Sequence, residues 1–151
     1  MSARERKSAD AMTTNSVLDE RLKHIAIFRT LRLRLDTAAD GVAKLIAPYD
    51  PIYNNTFDRI HGGLLTTLAD TAAYVAVLTL AGIDAAITTT DLTIRFLAPC
   101  RSDITADAKI IKFGRTLCPV AVELHDSDGI LVAVAHVTYL RMGSLQKTNP
   151  N

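Results

Sequence analysis

The chain carries almost no net charge: 17 Lys and Arg stand against 16 Asp and Glu, which leaves +1 over 151 residues. No global field therefore points to nucleic acid or to an anionic membrane surface as a partner. Cysteine is equally scarce. Cys100 and Cys118 are the only two, they form neither a C-x-x-C pair nor a zinc-spaced set, and no secretory apolar segment lies near the N-terminus. That usage argues against a disulfide framework or a metal site and fits a reducing, cytoplasmic setting, with both thiols expected on half-buried strands. Several motifs are missing altogether: there is no G-x-S-x-G, no G-x-x-x-x-G-K-S/T, no G-x-G-x-x-G and no H-E-x-x-H. Serine hydrolases with a nucleophile elbow, nucleotide-dependent enzymes and zinc proteases thus have no signature to rest on, and no cofactor is expected.

What the chain does have is apolar material, at 48% of residues. That amount can bury one good core, and the length fits one domain, placed at residues 16–145 between irregular tails at 1–15 and 146–151. The chain is organised around Asn55 to Gly82, where a polar loop runs through His61-Gly62-Gly63 into an almost wholly apolar helix interrupted by one carboxylate, Asp70. Apolar or small residues fill nearly every position of that helix, so it reads as buried on most of its circumference. A bilayer crossing needs about 20 apolar residues. The helix just reaches that length, but Asp70 near its middle and the lack of a basic C-terminal flank argue for a buried core helix. A buried carboxylate without a partner loses several kcal/mol, so Asp70 is either hydrogen-bonded or kept for chemistry.

Around this helix the pattern gives an N-terminal amphipathic helix from Ser16 to about Phe28, then a strand from the alternation of Leu31, Leu33 and Leu35 with Arg32, Arg34 and Asp36. After the Asp40-Gly41 turn comes a second strand, Val42 to Ala47. Residues 48–61 read as a structured loop. Four strands follow the long helix: Ile87 to Phe96, Asp103 to Ile111, Leu117 to His125 and Leu131 to Leu140, with hairpin turns at Gly114 and at Asp128-Gly129. One long helix with two strands before it and four after cannot alternate as βαβ units. The predicted class is α+β, an antiparallel sheet curved around a central helix whose uncovered side a second copy would close.

Asn55 lies six residues before His61-Gly62-Gly63, and Asp70 follows Gly63 by seven. Beyond the helix stand the segment Thr88-Thr89-Thr90-Asp91-Leu92-Thr93-Ile94-Arg95-Phe96-Leu97-Ala98-Pro99 and the hairpin Lys112-Phe113-Gly114-Arg115-Thr116-Leu117. In combination these resemble the hotdog-fold acyl-CoA thioesterases of the phenylacetate-degradation (PaaI-like) type, over about residues 31–141. The resemblance implies that the Gly62 amide and the Asn55 side chain hold the thioester carbonyl while Asp70 and Thr89, or its neighbour Thr88, activate or orient water. The chain departs from the family pattern at Asp58, where many relatives have glycine.

The chemistry is sensible without the family. Consecutive glycines at a helix start let a substrate oxygen approach backbone amides, and the helix dipole favours negative charge there. A desolvated carboxylate can serve as general base toward water or attack directly to give an anhydride, and both routes stay open. His61 reads as a loop-pinning residue at the site, and Gly63, Tyr53, Phe57, Tyr74 and Leu97 as acyl-pocket residues. Arg115 and Lys112 are candidates for the phosphates of coenzyme A. The expected partners are an acyl-CoA substrate and a further copy of the chain, as a homodimer with shared active sites assembled into a dimer of dimers. Two other readings remain. A hotdog hydratase would resemble proteins with Asp and His paired ahead of the helix, and a non-catalytic acyl-thioester sensor would need an effector module that the first 30 residues, with room for one short helix, do not offer.

Overall fold

The structure, a computed structural model, describes residues 2–143. Its elements are α1 (Ala3–Lys23), α2 (Ala26–Thr30), β1 (Arg34–Ala39), β2 (Val42–Ala47), a 3-10 turn (Pro51–Tyr53), α3 (Gly62–Ala81), β3 (Ile87–Phe96), β4 (Ile104–Ile110), β5 (Leu117–His125) and β6 (Leu131–Arg141). The six strands form one antiparallel sheet in the order β1-β2-β4-β5-β6-β3. Both predicted hairpins, β4-β5 and β5-β6, are present. β3 instead crosses to the far edge and pairs with β6.

α3 packs across β2, β4, β5 and β6. Leu65, Leu68, Ala69, Ala72, Ala73, Val75, Ala76 and Val77 are buried, and the alanines among them let the helix lie close to the strands. On the sheet side the core is continued by Leu45, Ala106, Val120, Val122, Leu124, Ala135 and Val137. These positions follow the period of two expected of strands with one face on a helix. The helix is long and apolar enough to cross a bilayer by length and composition, but here it is the core helix of a curved sheet. It stops at Gly82, whose φ of 99° suits only glycine at low cost.

Burial is incomplete at both ends of the helix and, along its middle, at Thr67, Asp70 and Tyr74. With Gly63 these are spaced i, i+4, i+7 and i+11 and make one stripe that the sheet leaves partly open.

Three expectations from the N-terminal third need correction. Residues 3–15 are not an irregular tail: one helix runs from Ala3 to Lys23, started by a reciprocal capping box in which Ser2 and Glu5 satisfy each other's backbone amides. Hydrophobic periodicity reports packing, and the polar first half of this helix has none to show. In place of a single helix to Phe28 there are two, because Ile25 is extended and restarts the chain as α2. The alternating leucines are not a strand from Leu31 either. Leu31 and Leu33 are buried from a turn in which Arg32 has φ 52° and the Leu33 amide bonds the Phe28 carbonyl, and pairing begins at Arg34. Both cysteines are buried and free, but only Cys118 lies on a strand; Cys100 sits in the β3-β4 connection, which its carbonyl ties to the Ile60 amide. The C-terminal tail expected at 146–151 lies outside the described residues.

Candidate active site

The loop before α3 is held by its own polar groups. The Asn55 amide bonds the Arg59 carbonyl at 2.7 Å, while Asn55 Oδ1 accepts from the amides of Phe57 at 2.9 Å and Arg59 at 3.2 Å. Asp58 adopts φ 58°, a left-handed conformation that Asp tolerates better than most residues. Its carboxylate takes a hydrogen bond from Asn54 Nδ2 at 2.8 Å and an ion pair from Arg101 at 2.7 Å. The left-handed residue is thereby held within the loop. Asn55 uses only its carbonyl oxygen in this turn, and its Nδ2 donors have no partner among the described residues.

At the helix start His61 is the N-cap, and its Nδ1 accepts from the Gly63 amide at 2.8 Å. The Leu64 amide is taken by the His61 carbonyl at 2.9 Å. Gly62 N–H is thus the uncommitted donor of the first turn. The Gly62 α-carbon also lies against a ring: a Cβ built there would stand 2.9 Å from the Phe96 Cζ. Asn55, Phe57, Gly62, Phe96, Leu97 and Cys100 share one cavity of about 670 Å³. It is mainly apolar, and Asn55, Gly62 and the Arg59 guanidinium, one of whose nitrogens bonds the Asp58 carbonyl at 2.9 Å, bring polar donors to it.

Asp70 sits elsewhere. Its Oδ1 accepts from Thr89 Oγ1 at 2.7 Å and from the Tyr139 hydroxyl at 2.9 Å, and the same hydroxyl lies 3.0 Å from the Asp70 carbonyl. Alternation along β3 turns Thr89 toward α3 and leaves Thr88 exposed, so the choice among the adjacent threonines falls on Thr89. Tyr139 is the cross-strand neighbour of Thr89 in the β3-β6 ladder. Burial first, then the charge of Asp70, raises the Tyr139 phenol far above its usual range, so it stays protonated and remains a donor. Burial also raises the Tyr74 phenol; that ring centroid is 6.2 Å from the ring of Tyr139.

The predicted residues thus fall into groups. Asn55, Gly62, Phe57 and Leu97 converge on the large cavity, and Asp70, Thr89 and Tyr74 cluster farther along α3. Tyr53 lines a separate hollow with His61, Gly63 and Leu64. Arg115 lies with Arg141 at a cavity by the C-terminal end of α3, and Lys112 lines none of these spaces. Among the described residues no group of three or more His, Cys, Asp or Glu could hold a metal ion. Sequence reasoning missed Tyr139. Its signal was available, because a hydroxyl-bearing residue on the inward, apolar face of β6 requires a partner.

An antiparallel sheet curved around one long central helix defines a hotdog-type fold. The Thioesterase superfamily profile matches residues 57–133, just over half of the chain, and the chain belongs to that superfamily. One relative, a protein of Halobacterium salinarum provisionally named an esterase, is 34% identical over 92 residues, 58% of this chain and 61% of its own length. Among solved structures, a thioesterase family protein from Silicibacter pomeroyi superposes with TM-score 0.76 at 26% identity, covering 82% of this chain and 93% of that one. The E. coli PaaI protein from the phenylacetic acid degradation operon shares the fold, with TM-score 0.73 at 22% identity over 84% of this chain and 97% of its own.

Proposed function

We propose that the chain is an acyl-CoA thioesterase in which Asp70 activates the water and Gly62 N–H with Asn55 Nδ2 holds the thioester carbonyl. The observation that carries this reading is the presence of two uncommitted donors, Asn55 Nδ2 and Gly62 N–H, in one mainly apolar cavity, together with a carboxylate that keeps one oxygen free. Thr89 and Tyr139 both bond Oδ1, and Oδ2 has no partner among the described residues. Oδ2 is then the atom that takes the proton from water, or attacks the carbonyl itself. As charge builds on the carbonyl oxygen, the Gly62 amide, aided by the helix dipole, and the Asn55 amide stabilise it. The thiolate of coenzyme A departs. Phe57, Phe96 and Leu97 give the acyl group an apolar wall that suits aryl or medium aliphatic chains, and Arg115, with Arg141 at a cavity by the C-terminal end of α3, and Lys112 are the cations proposed for the nucleotide phosphates.

A complete site draws on two copies. Gly62 and Asp70 are eight residues apart on one helix, about 12 Å along its axis at ~1.5 Å per residue, whereas a reacting carbon lies ~3 Å from both nucleophile and oxyanion donors. A second α3, packed antiparallel on the partly open stripe of Gly63, Thr67, Asp70 and Tyr74, brings one chain's Asp70 to the other's Gly62.

The test is hydrolysis of a panel of acyl-CoA thioesters by the purified protein and by Asp70→Asn, which keeps size and removes basicity. The expected result is turnover by the wild type and a kcat at least about 100-fold lower for the variant. A variant retaining more than about a tenth of wild-type kcat would refute the assignment of Asp70.

A further inference from the structure

Asp70 has two donors on a single oxygen, and only one of them, Thr89, is a residue the sequence motif names. The other is Tyr139, from the last strand. Its hydroxyl proton lies between two oxygens of the same residue, Asp70 Oδ1 at 2.9 Å and the Asp70 carbonyl at 3.0 Å. A donor shared between a side-chain oxygen and its own backbone oxygen fixes the angle between them. Here that angle is the orientation of the carboxylate about its link to the helix.

We propose that Tyr139 is a positioning residue of the hydrolytic site, which locks the Asp70 carboxylate with Oδ1 turned to the sheet and Oδ2 turned to the water. The inference rests on the reading of Asp70 as the activating carboxylate. Thr89 by itself leaves the carboxylate one hinge about which to swing; two donors from adjacent strands, paired directly across the ladder, remove it. Tyr139 is 4% exposed, so bulk water does not compete for its proton. No charged side chain pairs with Asp70 among the described residues: the groups that face it are Thr89 from β3 and Tyr139 from β6, with Tyr74 one turn along α3 against the Tyr139 ring. The orientation of the carboxylate therefore depends on two neutral hydroxyls, and deleting one has a defined effect.

Tyr139→Phe keeps the ring and its packing and removes the hydroxyl. The expected result is a kcat lower by roughly 10- to 100-fold, the range for one hydrogen bond to a charged group. KM changes less than about twofold, since the hydroxyl touches Asp70 and not the substrate. A 3-fluorotyrosine at position 139 tests the same contact with the hydroxyl kept, and should hold kcat within about threefold of wild type. A fall in kcat for Tyr139→Phe with KM little changed, recovered by the fluorinated tyrosine, supports the proposal; a merely structural role for Tyr139 would lower thermal stability without that split between kcat and KM. If Tyr139→Phe leaves kcat unchanged while Asp70→Asn is inactive, Tyr139 has no positioning role and the reading of Asp70 stands. An active Asp70→Asn would overturn both.

Discussion

In the proposed site Asn55 has two tasks, one in folding and one in chemistry. Its Oδ1 closes the turn on the Phe57 and Arg59 amides, and this closure leaves Nδ2 as the donor proposed to act with Gly62, which lines the same cavity. Asn55→Asp separates the two tasks, since it keeps Oδ1 and replaces the donor by an anionic oxygen. Thermal stability should be close to wild type while kcat falls at least about 100-fold, as for the loss of an oxyanion donor; an unchanged kcat in the folded variant would remove Asn55 from the site. Asp70, Gly62 and Asn55, the residues of the proposed site, stand out in the sequence because each breaks a local pattern: a carboxylate in an apolar helix, a glycine pair at a helix start, a polar residue at fixed distance before it. Thr89 and Tyr139 could not be fixed that way. Which of two adjacent threonines faces inward depends on the phase of β3, and β3 carries a register shift between Thr89 and Asp91. The partner of a buried tyrosine depends on a strand order in which the first strand after the helix joins the last one, 50 residues away.

At the scale of elements, α3 does two things that compete. It must be apolar enough to serve as the core of the sheet, and it must carry Asp70 on a face left partly open. The conflict is resolved by periodicity: Leu65, Leu68, Ala72, Val75 and Ala76 point to the strands, while Thr67, Asp70 and Tyr74 fall on the stripe between β3 and the open side. Leu68 is 1% exposed, and Leu68→Ala should cost about 2–5 kcal/mol by leaving a cavity under the helix. Thermal unfolding would show this as a Tm lower by roughly 5–15 °C for a domain of this size. A Tm within about 2 °C of wild type would mean that the sheet is not packed on that face. The later elements were legible because their hydrophobic period is set by this same helix. The N-terminal third was not: a helix with little apolar surface produces no period, and Leu31 and Leu33 imitate an alternating strand by burying from a turn.

The whole molecule raises a geometric question that one chain cannot answer. Gly62, the proposed oxyanion donor on α3, and Asp70 are separated by about 12 Å along one rigid helix, and the cavity that holds Asn55 and Gly62 does not include Asp70. A rigid helix cannot bend to join them, so the proposed chemistry requires a second helix to supply the missing half. If the two copies are related by a two-fold axis, each dimer has two sites, each built from Asn55 and Gly62 of one protomer and Asp70 of its partner. Complementation tests this directly. Asn55→Ala and Asp70→Asn proteins, each nearly inactive alone, are mixed under conditions that exchange subunits, with exchange followed by native mass spectrometry. In a mixed dimer one site carries both lesions and the other carries neither. Random pairing makes half of the dimers mixed, and half of the sites in those dimers intact, so activity should recover to about a quarter of wild type by this symmetry count. If subunits exchange and no activity returns, the two residues act within one chain, and the reacting carbon must be reached by a route other than two helices packed across a two-fold axis.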